Sequence, residues 1–190
     1  ESRRTLNLPE NKKIITLMAA GGKHNPQKGW SYAEEVIKNY KNNSEILFVC
    51  IGGKEEDVSE NLPNLLFVPY IDQEKVFAKY YSASDIFLHT SLAEAFSLVM
   101  VQALSSGVPV VAFPVGIAEE AIIHKQSGYI AKYQDTVDLI SGLNYILEKN
   151  PEERIVMVKI GRETAIAKFN KNIMIENHVK LYDEVLKKSQ

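Results

Sequence analysis

Short apolar runs alternate with longer amphipathic stretches along most of the chain, and glycine, proline or polar clusters separate them. A continuous apolar run of this length is typical of a strand that is buried on both faces of a parallel sheet. The runs are 14–20 (IITLMAA), 45–53 (EILFVCIGG), 64–71 (NLLFVPYI), 85–90 (DIFLHT), 108–113 (VPVVAF) and 128–131 (GYIA). The pattern therefore predicts a sheet built from these segments.

Segments with the 3.6-residue spacing of a helix fill the intervals between the strands. They cover 30–43, 73–84, 97–106, 118–124, 136–150, a segment that starts at 151, and 170–188. Asp72 and Ser97 are expected to cap the second and third helices, and Gly107 to close the third. Pro151 stands at the first position of its helix, where proline is favoured. The terminal helix carries an apolar stripe of Ile173, Ile175, His178, Val179, Tyr182 and Leu186.

Regular alternation of strands and helices predicts the α/β class. We expect a Rossmann-like parallel sheet of about six strands with helices on both faces, followed by C-terminal helices. Residues 13–190 are expected to form this domain, and the polar segment 1–12, which contains Pro9, to be a linker or arm. Ligands of such sheets bind at the carboxyl ends of the strands, near the point where the strand order reverses.

Composition narrows the choice of partners. The chain has 190 residues, of which 45% are hydrophobic, and this is enough for one full domain. Its net charge of -2 and mixed acidic and basic residues predict neither a nucleic-acid partner nor an anionic membrane surface. No apolar stretch approaches the roughly 20 residues that cross a bilayer. The single cysteine, Cys50, excludes an internal disulfide, is consistent with a reducing compartment, and is interpreted as a small buried hydrophobic residue.

The loop after the first strand combines glycines with a lysine. Gly21 and Gly22 would let the backbone approach a ligand closely, and Lys28 places a positive charge at the start of the next helix. This is the outline of a phosphate site, although the spacing matches neither the Walker P-loop nor the Rossmann G-x-G-x-x-G. The alternative is a plain loop with a solvated lysine.

Two polar side chains, Glu94 and Gln102, stand within the most apolar part of the chain. The helix that follows Glu94 offers the backbone amides of Ser97, Leu98 and Val99, together with the positive end of its dipole, as a second anion site. A carboxylate accepts hydrogen bonds from sugar hydroxyls, and an amide both donates and accepts. One ligand with a phosphate at this helix start could therefore meet both side chains. The alternatives are a loop-capping Glu94 and a Gln102 on the helix surface.

Other polar residues have simpler explanations. Glu119 and Glu120 open a short helix, where acidic residues favour the helix dipole. His89 ends a strand and His124 ends a helix, and neither has a partner at metal-ligand spacing, so both are interpreted as structural. No Ser-His-Asp or Cys-His pattern can be assembled.

The segment SLAEAFSLVMVQALSSGVPVVAFPVGIAEEAI, followed by SGYIA, resembles the signature of a known family. The family is that of the retaining nucleotide-sugar glycosyltransferases with the GT-B fold, group 1 or glycogen-synthase-like. Its pattern is roughly P-S-x-x-E-G-F-G-x-x-x-x-E-A-x-A-x-G-x-P-V-V, then G-G-x-x-E and N-G. The matching residues are Ser91, Glu94, Phe96, Ala103, Gly107, Pro109, Val110, Val111, Gly116, Glu119 and Gly128. The resemblance extends from Lys13 to Leu186.

The resemblance implies roles for individual residues. It makes Glu94, on the donor sugar, and Lys28, on the departing diphosphate, the catalytic residues. The donor nucleotide is expected to contact Gly21, Gly22, Lys23, Lys28, Glu94, Phe96, Ser97, Leu98 and Gln102. Loop tips near Gly52–Gly53 and Tyr70–Ile71 are expected to meet the base.

Three positions depart from the family pattern. Gln102 stands where relatives have an acidic residue that holds the ribose, which predicts weaker ribose anchoring or a different set of contacts. Ala95 and Ser97 replace both glycines of E-G-F-G and remove backbone freedom. Gly22 stands at the position of a family arginine, for which Lys23 could substitute with a shift of one residue.

The implied function is that of a donor-binding C-terminal domain. The whole enzyme would be a metal-independent hexosyltransferase of polysaccharide biosynthesis that moves a sugar from a nucleotide diphosphate sugar to a hydroxyl acceptor, without a cofactor. The N-terminal acceptor-binding domain is expected to lie outside this chain, so the isolated chain would bind nucleoside diphosphates weakly and transfer nothing. The expected location is cytoplasmic, with any association with the inner membrane face made through the absent domain.

Two alternatives remain open from the sequence. One is a nucleotide-sugar 2-epimerase of the non-hydrolysing type, on a related sheet. The other is a degenerate, non-catalytic subunit that resembles a glycosyltransferase, which Gln102 and the missing arginine favour.

Overall fold

The computed structural model describes residues 1–19, 21–54, 56, 58 and 61–188. Within these ranges, six strands form one sheet in the spatial order β3-β2-β1-β4-β5-β6, and all neighbouring strands pair in parallel. The strands are β1 (Lys13–Met18), β2 (Ile46–Ile51), β3 (Leu65–Val68), β4 (Ile86–His89), β5 (Val110–Ala112) and β6 (Gly128–Ile130). The predicted parallel sheet is confirmed; Ala20, the predicted end of the first strand, lies outside the described residues.

The apolar runs form strands because helices cover both faces of the sheet. In register, Ile15 of β1 lies between Phe48 of β2 and Ile86 of β4, and all three side chains are fully buried. Side chains alternate between the two faces along a strand, so a strand covered on both sides needs apolar residues at successive positions. This accounts for runs without polar alternation.

Eight α-helices lie within the described ranges, together with two 3-10 helices, Gly22–His24 and Pro26–Lys28. The α-helices are α1 (Ser2–Thr5), α2 (Trp30–Asn39), α3 (Glu74–Ala83), α4 (Leu98–Ser105), α5 (Ala118–Ala121), α6 (Thr136–Leu147), α7 (Pro151–Phe169) and α8 (Lys171–Lys188). A cluster that includes Ile37 and Leu143 packs α2 and α6 against the sheet. A second cluster, which includes Tyr81 and Leu104, contains residues of α3 and α4. The layers agree with the predicted fold class.

Two predicted helix caps are wrong. Gln73, not Asp72, occupies the N-cap position of α3, and no side-chain hydrogen bond caps this helix. Ser97 does occupy the N-cap position of α4, but its hydroxyl makes no capping bond, because it lies against the His89 ring instead. Pro151 begins α7 as predicted, behind a capping box formed by Asn150 and Glu153.

Residues 1–12 pack on the domain. Leu8 is buried, and the guanidinium of Arg3 donates to the carbonyl oxygen of Ala83 at 2.9 Å and to Asp85 Oδ2 at 2.8 Å. Since these bonds hold the segment at the amino ends of β1 and β4, it is an ordered part of this unit. That it also joins the domain to another one stays a prediction.

The last helix, α8, has no buried residue. The apolar side chains of Ile175, Val179, Tyr182 and Leu186 are all more than 40% exposed. A search of the described residues for a helix long and apolar enough to cross a membrane finds none.

The strand order determines where a ligand can bind. The chain first moves outward from β1 to β3 and then returns to the other side of β1 with β4. The connections therefore leave β1 and β4 in opposite directions, which opens a crevice at their carboxyl ends. The loops after β1 and β4 flank this crevice.

Candidate functional site

The loops that follow β1 and β4 are bonded to each other. The backbone N–H of Leu92 donates to the carbonyl oxygen of Gln27 at 2.7 Å, and the Thr90 hydroxyl donates to that of Lys28 at 3.0 Å. Because each bond joins one loop to the other, the two loops form a single structural unit at the switch point.

Gly29 allows the two loops to approach this closely. Its φ is 59°, in the left-handed region, and a Cβ at this position would lie 2.1 Å from the backbone oxygen of Thr90. Only glycine fits such a contact without moving the backbone. The close contact therefore explains why glycine follows Lys28, and this contact places Lys28 beside the β4 loop.

Lys28 and Glu94 form an ion pair across these loops. Lys28 Nζ donates to Glu94 Oε1 at 2.7 Å, and the side chains are 28% and 15% exposed. The two residues are 66 positions apart in the sequence, and both were expected at the donor site. Their contact shows that they are close together. The roles assigned to them stay predictions.

Glu94 is held strongly in its ionised form. Hydrogen bonding to His89, and then to Lys28 and Ser91, outweighs the desolvation of the carboxylate and lowers its pKa from 4.5 to about 2. His89 Nε2 is 3.5 Å from Glu94 Oε1. Glu94 is therefore an acceptor of hydrogen bonds at neutral pH and not a proton donor.

His89 also belongs to this cluster, although its position in the sequence was interpreted as structural. It is the last residue of β4 and is 5% exposed, and its Nε2 lies 2.8 Å from the Ser97 hydroxyl. Its position at the carboxyl end of a central strand was a signal that could have indicated a site. The structural interpretation is confirmed for His124, whose Nδ1 accepts from the backbone N–H of Ile130.

The turn from Glu94 to Ser97 is bound to the loop after β5. The carbonyl oxygen of Phe96 accepts from the backbone N–H of Ile117 at 3.1 Å. A Cβ on Gly116 would lie 2.8 Å from this same oxygen. Phe96 packs edge-on against Phe169 of α7. Backbone contact with the β5 loop and ring contact with α7 therefore hold the turn that precedes α4.

Side chains at the start of α4 point in different directions. Ser97 is buried, whereas the Leu98 side chain is 59% exposed. Leu98 could therefore contact a donor through its backbone amide, as predicted, while its side chain faces away from the packed core. That these amides bind a phosphate stays a prediction.

Gln102 lines a groove of about 430 Å³ beside α4. Tyr70, Ile71, Phe77 and Tyr81 contribute to its walls. The Tyr81 hydroxyl donates to the carbonyl oxygen of Val99 at 2.9 Å, and burial raises the pKa of this phenol. Tyr70 and Ile71, expected near the base, do share a groove with Gln102.

Gly52 and Gly53, the other predicted contacts of the base, are not among the residues that line this groove. A Cβ on Gly53 would lie 2.7 Å from the sulfur of Cys50, so this glycine has a packing role. The lining of the groove therefore does not support the prediction that Gly52 and Gly53 contact the base.

The glycine-rich part of the β1 loop precedes the segment that contains Lys28. Gly21 has a φ of 87°, and Gly22 begins a short 3-10 turn. Lys23 Nζ donates to the carbonyl oxygen of Glu56 at 2.5 Å and lines a second groove, of about 590 Å³, with Trp30 and other residues of α2. In this arrangement Lys23 does not join Lys28 at Glu94.

Among the residues that the structure describes, no three His, Cys, Asp or Glu side chains come together as a group that could hold a metal ion.

A six-stranded parallel sheet in this order, with a lysine–glutamate pair at its switch point, defines a Rossmann-like ligand-binding domain. Comparison with known families identifies it further: the family described as Glycosyl transferases group 1 matches residues 1–164. The chain belongs to this family.

Individual relatives agree with this assignment. The chain is 28% identical, over 185 residues, to N,N'-diacetylbacillosaminyl-diphospho-undecaprenol alpha-1,3-N-acetylgalactosaminyltransferase of Campylobacter jejuni. The alignment covers 95% of this chain and 47% of that protein. It is similar to the structure of sucrose-phosphate synthase from Thermosynechococcus elongatus, with a TM-score of 0.80 and 27% identity over 98% of this chain and 48% of that one.

The structure of Anabaena Alr3699/HepE in complex with UDP-glucose shares the fold, with a TM-score of 0.78 at 19% identity, and covers 96% of this chain and 51% of that one. The chain spans about half the length of the curated relatives that it matches first.

Proposed function

We propose that the chain is the donor-binding domain of a retaining glycosyltransferase, which moves a sugar from a nucleotide diphosphate sugar to a hydroxyl acceptor. The observation that carries the proposal is the contact of 2.7 Å between Lys28 and Glu94 at the switch point of the sheet. This places a cation and an ionised carboxylate where open α/β sheets bind their ligands.

The diphosphate of the donor would lie between Lys28 and the start of α4. The first backbone N–H groups of a helix have no acceptor within the helix, and the helix dipole adds partial positive charge there. Lys28 would move from Glu94 towards the phosphate oxygens and stabilise the negative charge that develops on the leaving diphosphate. Stabilisation of the leaving diphosphate by these groups requires neither a metal ion nor a cofactor.

The sugar would be oriented by Glu94. A carboxylate with a pKa of about 2 accepts hydrogen bonds from two hydroxyls and does not release a proton at neutral pH. With the sugar held against the diphosphate, the bond from the anomeric carbon to the diphosphate breaks. The acceptor hydroxyl attacks the same face and gives its proton to a departing phosphate oxygen, so the anomeric configuration is retained. Glu94 therefore acts by orientation and electrostatics.

The nucleoside would occupy the groove lined by Gln102, Tyr70 and Ile71. Gln102 offers an amide to the ribose hydroxyls, and the aromatic walls at Phe77 and Tyr81 offer apolar surface to the base. UDP is the first probe to use, because the HepE structure that shares this fold contains UDP-glucose.

The remaining parts of the enzyme would come from outside this chain. An acceptor-binding domain would complete the cleft, so the chain alone would bind the donor without transferring the sugar. The proposed location is cytoplasmic, and contact with a membrane acceptor would be made by that other domain.

Titration calorimetry with UDP, GDP and ADP tests the proposal. At least one of these should bind the chain, and Lys28→Met and Glu94→Gln should each weaken binding of the nucleotide sugar by about tenfold or more, as expected for lost charge-assisted hydrogen bonds. Lys38→Met is the matched control: Lys38 pairs with Glu34 on α2 at 3.0 Å, so the same charge is lost elsewhere. No binding of any of the three nucleotides would refute the proposal.

A non-catalytic subunit is the second candidate, and Gln102 in the groove is the observation that favours it. Transfer activity of the protein with its acceptor-binding domain, before and after Glu94→Ala, separates the two. Loss of activity in the variant supports the enzyme, and inactivity of the unchanged protein supports the subunit.

A further inference from the structure

Ser97 has a backbone conformation that a serine adopts at a cost. Its φ and ψ are 80° and 62°, in the left-handed region, where the Cβ of an L-residue crowds the following carbonyl oxygen. Glycine takes this conformation freely, and the family pattern has glycine at this position. Some other interaction must therefore hold Ser97 in place.

The contact with His89 is that interaction. Ser97 Oγ and His89 Nε2 are 2.8 Å apart, and the two residues are 6% and 5% exposed. A hydroxyl at an N-cap normally accepts from the next turn of the helix, but no such bond is made at α4. The hydroxyl is thus directed to the histidine at the end of β4.

The histidine ring has its polar contacts on one side. Nε2 faces both Ser97 Oγ and, at 3.5 Å, Glu94 Oε1, whereas Nδ1 is buried and has no hydrogen-bond partner among the described residues. Burying an N–H without an acceptor is costly, so the neutral tautomer with its proton on Nε2 is favoured. Nε2–H can then donate towards both oxygens.

From these contacts we infer that His89 is a positioning residue of the donor site, which holds the turn 94–97 in the shape that glycine would otherwise allow. It acts through Ser97 on the backbone at the start of α4, and through Oε1 on the Glu94 carboxylate. This inference rests on the proposed function for its effect on ligand binding, but not for its effect on the turn itself.

The inference predicts that substitutions at positions 89 and 97 depend on each other. His89→Leu should weaken binding of UDP by about tenfold, because the turn loses the hydrogen bond that offsets its strain. Ser97→Gly keeps the backbone amide at the start of α4 and should weaken binding of UDP less than His89→Leu does, since glycine needs no partner in this conformation. The double variant should therefore bind UDP more tightly than His89→Leu alone, although the contact of His89 with Glu94 stays lost.

The matched control for this rescue is Gln134→Gly. Gln134 is an exposed residue that also has a positive φ, of 59°, and it lies outside the site. Gln134→Gly should relieve backbone strain without restoring binding in His89→Leu. His89→Gln, which keeps an N–H group near the position of Nε2, should retain most of the affinity. Additive effects at 89 and 97, or equal rescue by Gln134→Gly, would overturn the inference.

A second pair of variants tests the inference if His89→Leu does not fold. Ser97→Ala removes the hydroxyl but keeps the strained Cβ, so it should weaken binding by about tenfold, whereas Ser97→Gly should not. Equal affinities for these two variants would contradict it.

Amide hydrogen exchange separates this inference from the proposed function. Exchange at residues 94–99 of the free chain should be faster in His89→Leu and in Ser97→Ala than in the unchanged chain, and slow again in His89→Leu/Ser97→Gly. If the unchanged chain binds no nucleotide, the proposed function fails, and these exchange rates alone decide on the role of His89. Unchanged exchange in both single variants would overturn it.

Discussion

Two carboxylates occupy opposite ends of the same pair of central strands. At the amino ends of β1 and β4, Asp85 accepts from Arg3 at 2.8 Å, from Arg154 at 3.1 Å and from the backbone N–H of Ile14 at 2.8 Å. At the carboxyl ends, Glu94 accepts from Lys28 at 2.7 Å. The length of β4, about 13 Å at 3.3 Å per residue, separates the two clusters.

The surroundings of the two clusters differ more than their charges do. The partners of Asp85 come from the first helix, β1 and α7, so this cluster joins parts of the chain that are distant in sequence. Glu94 lies among turns in which Gly29, Ser97 and Gly116 have positive φ. Of these three residues only Ser97 carries backbone strain, and strain at a strand end is typical of ligand sites, whereas a carboxylate between two arginines supports the architecture.

Gly29→Ala should produce the largest effect and tests the close contact of the two loops at the carboxyl edge. The new Cβ would lie 2.1 Å from the Thr90 oxygen, so the β1 and β4 loops must separate. We expect a loss of about 4 kcal/mol in the free energy of unfolding, measured by urea denaturation.

Gly107→Ala is the control for this change. Gly107 also has a positive φ, of 77°, but its Cβ would meet only the side chain of Val158 at 3.1 Å. That substitution should cost about 1 kcal/mol. Equal losses for the two glycines would show that the close contact between the loops contributes nothing special.

Asp85→Ala should separate stability from binding. It removes the carboxylate that accepts from Arg3, Arg154 and the Ile14 N–H, although both arginines keep backbone carbonyl acceptors, and we expect a loss of about 3 kcal/mol in the free energy of unfolding. Nucleotide affinity of the folded variant, measured by calorimetry, should stay within about twofold, because the site lies at the other edge.

Glu94→Ala is the counterpart of Asp85→Ala at the carboxyl edge. It should abolish most of the donor affinity while lowering the free energy of unfolding by less than Asp85→Ala does. A large loss of nucleotide affinity in Asp85→Ala would break the division between the two edges.

The pH dependence of stability should identify Glu94. Its pKa of about 2 in the folded chain is below the ordinary 4.5, so its contribution is complete above about pH 4.5 and is lost as the pH falls through about 2. After allowance for solvent screening, the difference in unfolding free energy between the unchanged chain and Glu94→Gln should shrink by about 1–2 kcal/mol between pH 6 and pH 2.

Glu10→Gln serves as the comparison for this titration. The hydrogen bond from Arg4 also lowers the pKa of Glu10, but at the exposed surface. Its substitution should leave the pH profile of stability nearly unchanged. If Glu94→Gln has the same pH profile as the unchanged chain, the contacts of Glu94 with His89 and Lys28 do not stabilise the fold.

Gln102→Glu should have the smallest effect and tests the groove. A carboxylate would accept charge-assisted hydrogen bonds from the ribose hydroxyls, so UDP should bind about fivefold tighter by calorimetry. Gln126→Glu makes the same change of charge at an exposed turn before β6 and should leave binding as it is. Unchanged or weaker binding in Gln102→Glu would indicate that the ribose lies elsewhere.

Much of the fold could be predicted because apolar pattern and burial are directly related. The runs at 14–20 and 45–53 are apolar at successive positions, which only a strand covered on both faces requires. The proximity of Lys28 and Glu94 could be predicted for a similar reason: both follow central parallel strands, and the carboxyl ends of such strands meet at one edge.

Several contacts of the site could not be predicted in this way. Lys23 belongs to the same polar loop as Lys28, yet its amine reaches Glu56, because the direction of a long side chain depends on the local backbone. His89 lies in an apolar run and was interpreted as structural, although it contacts Ser97 and faces Glu94. Spacing along the chain contains no information on such contacts.

The amino-acid pattern of this chain sufficed for the parallel α/β architecture and for the edge of the sheet at which its polar residues gather, since both follow from periodicity and strand direction. The pairing of Asp85 with Arg3 and Arg154, and the left-handed Ser97 held against His89, arise only in the folded molecule. They depend on distances of a few ångströms between segments far apart in sequence, and packing of the whole domain sets those distances.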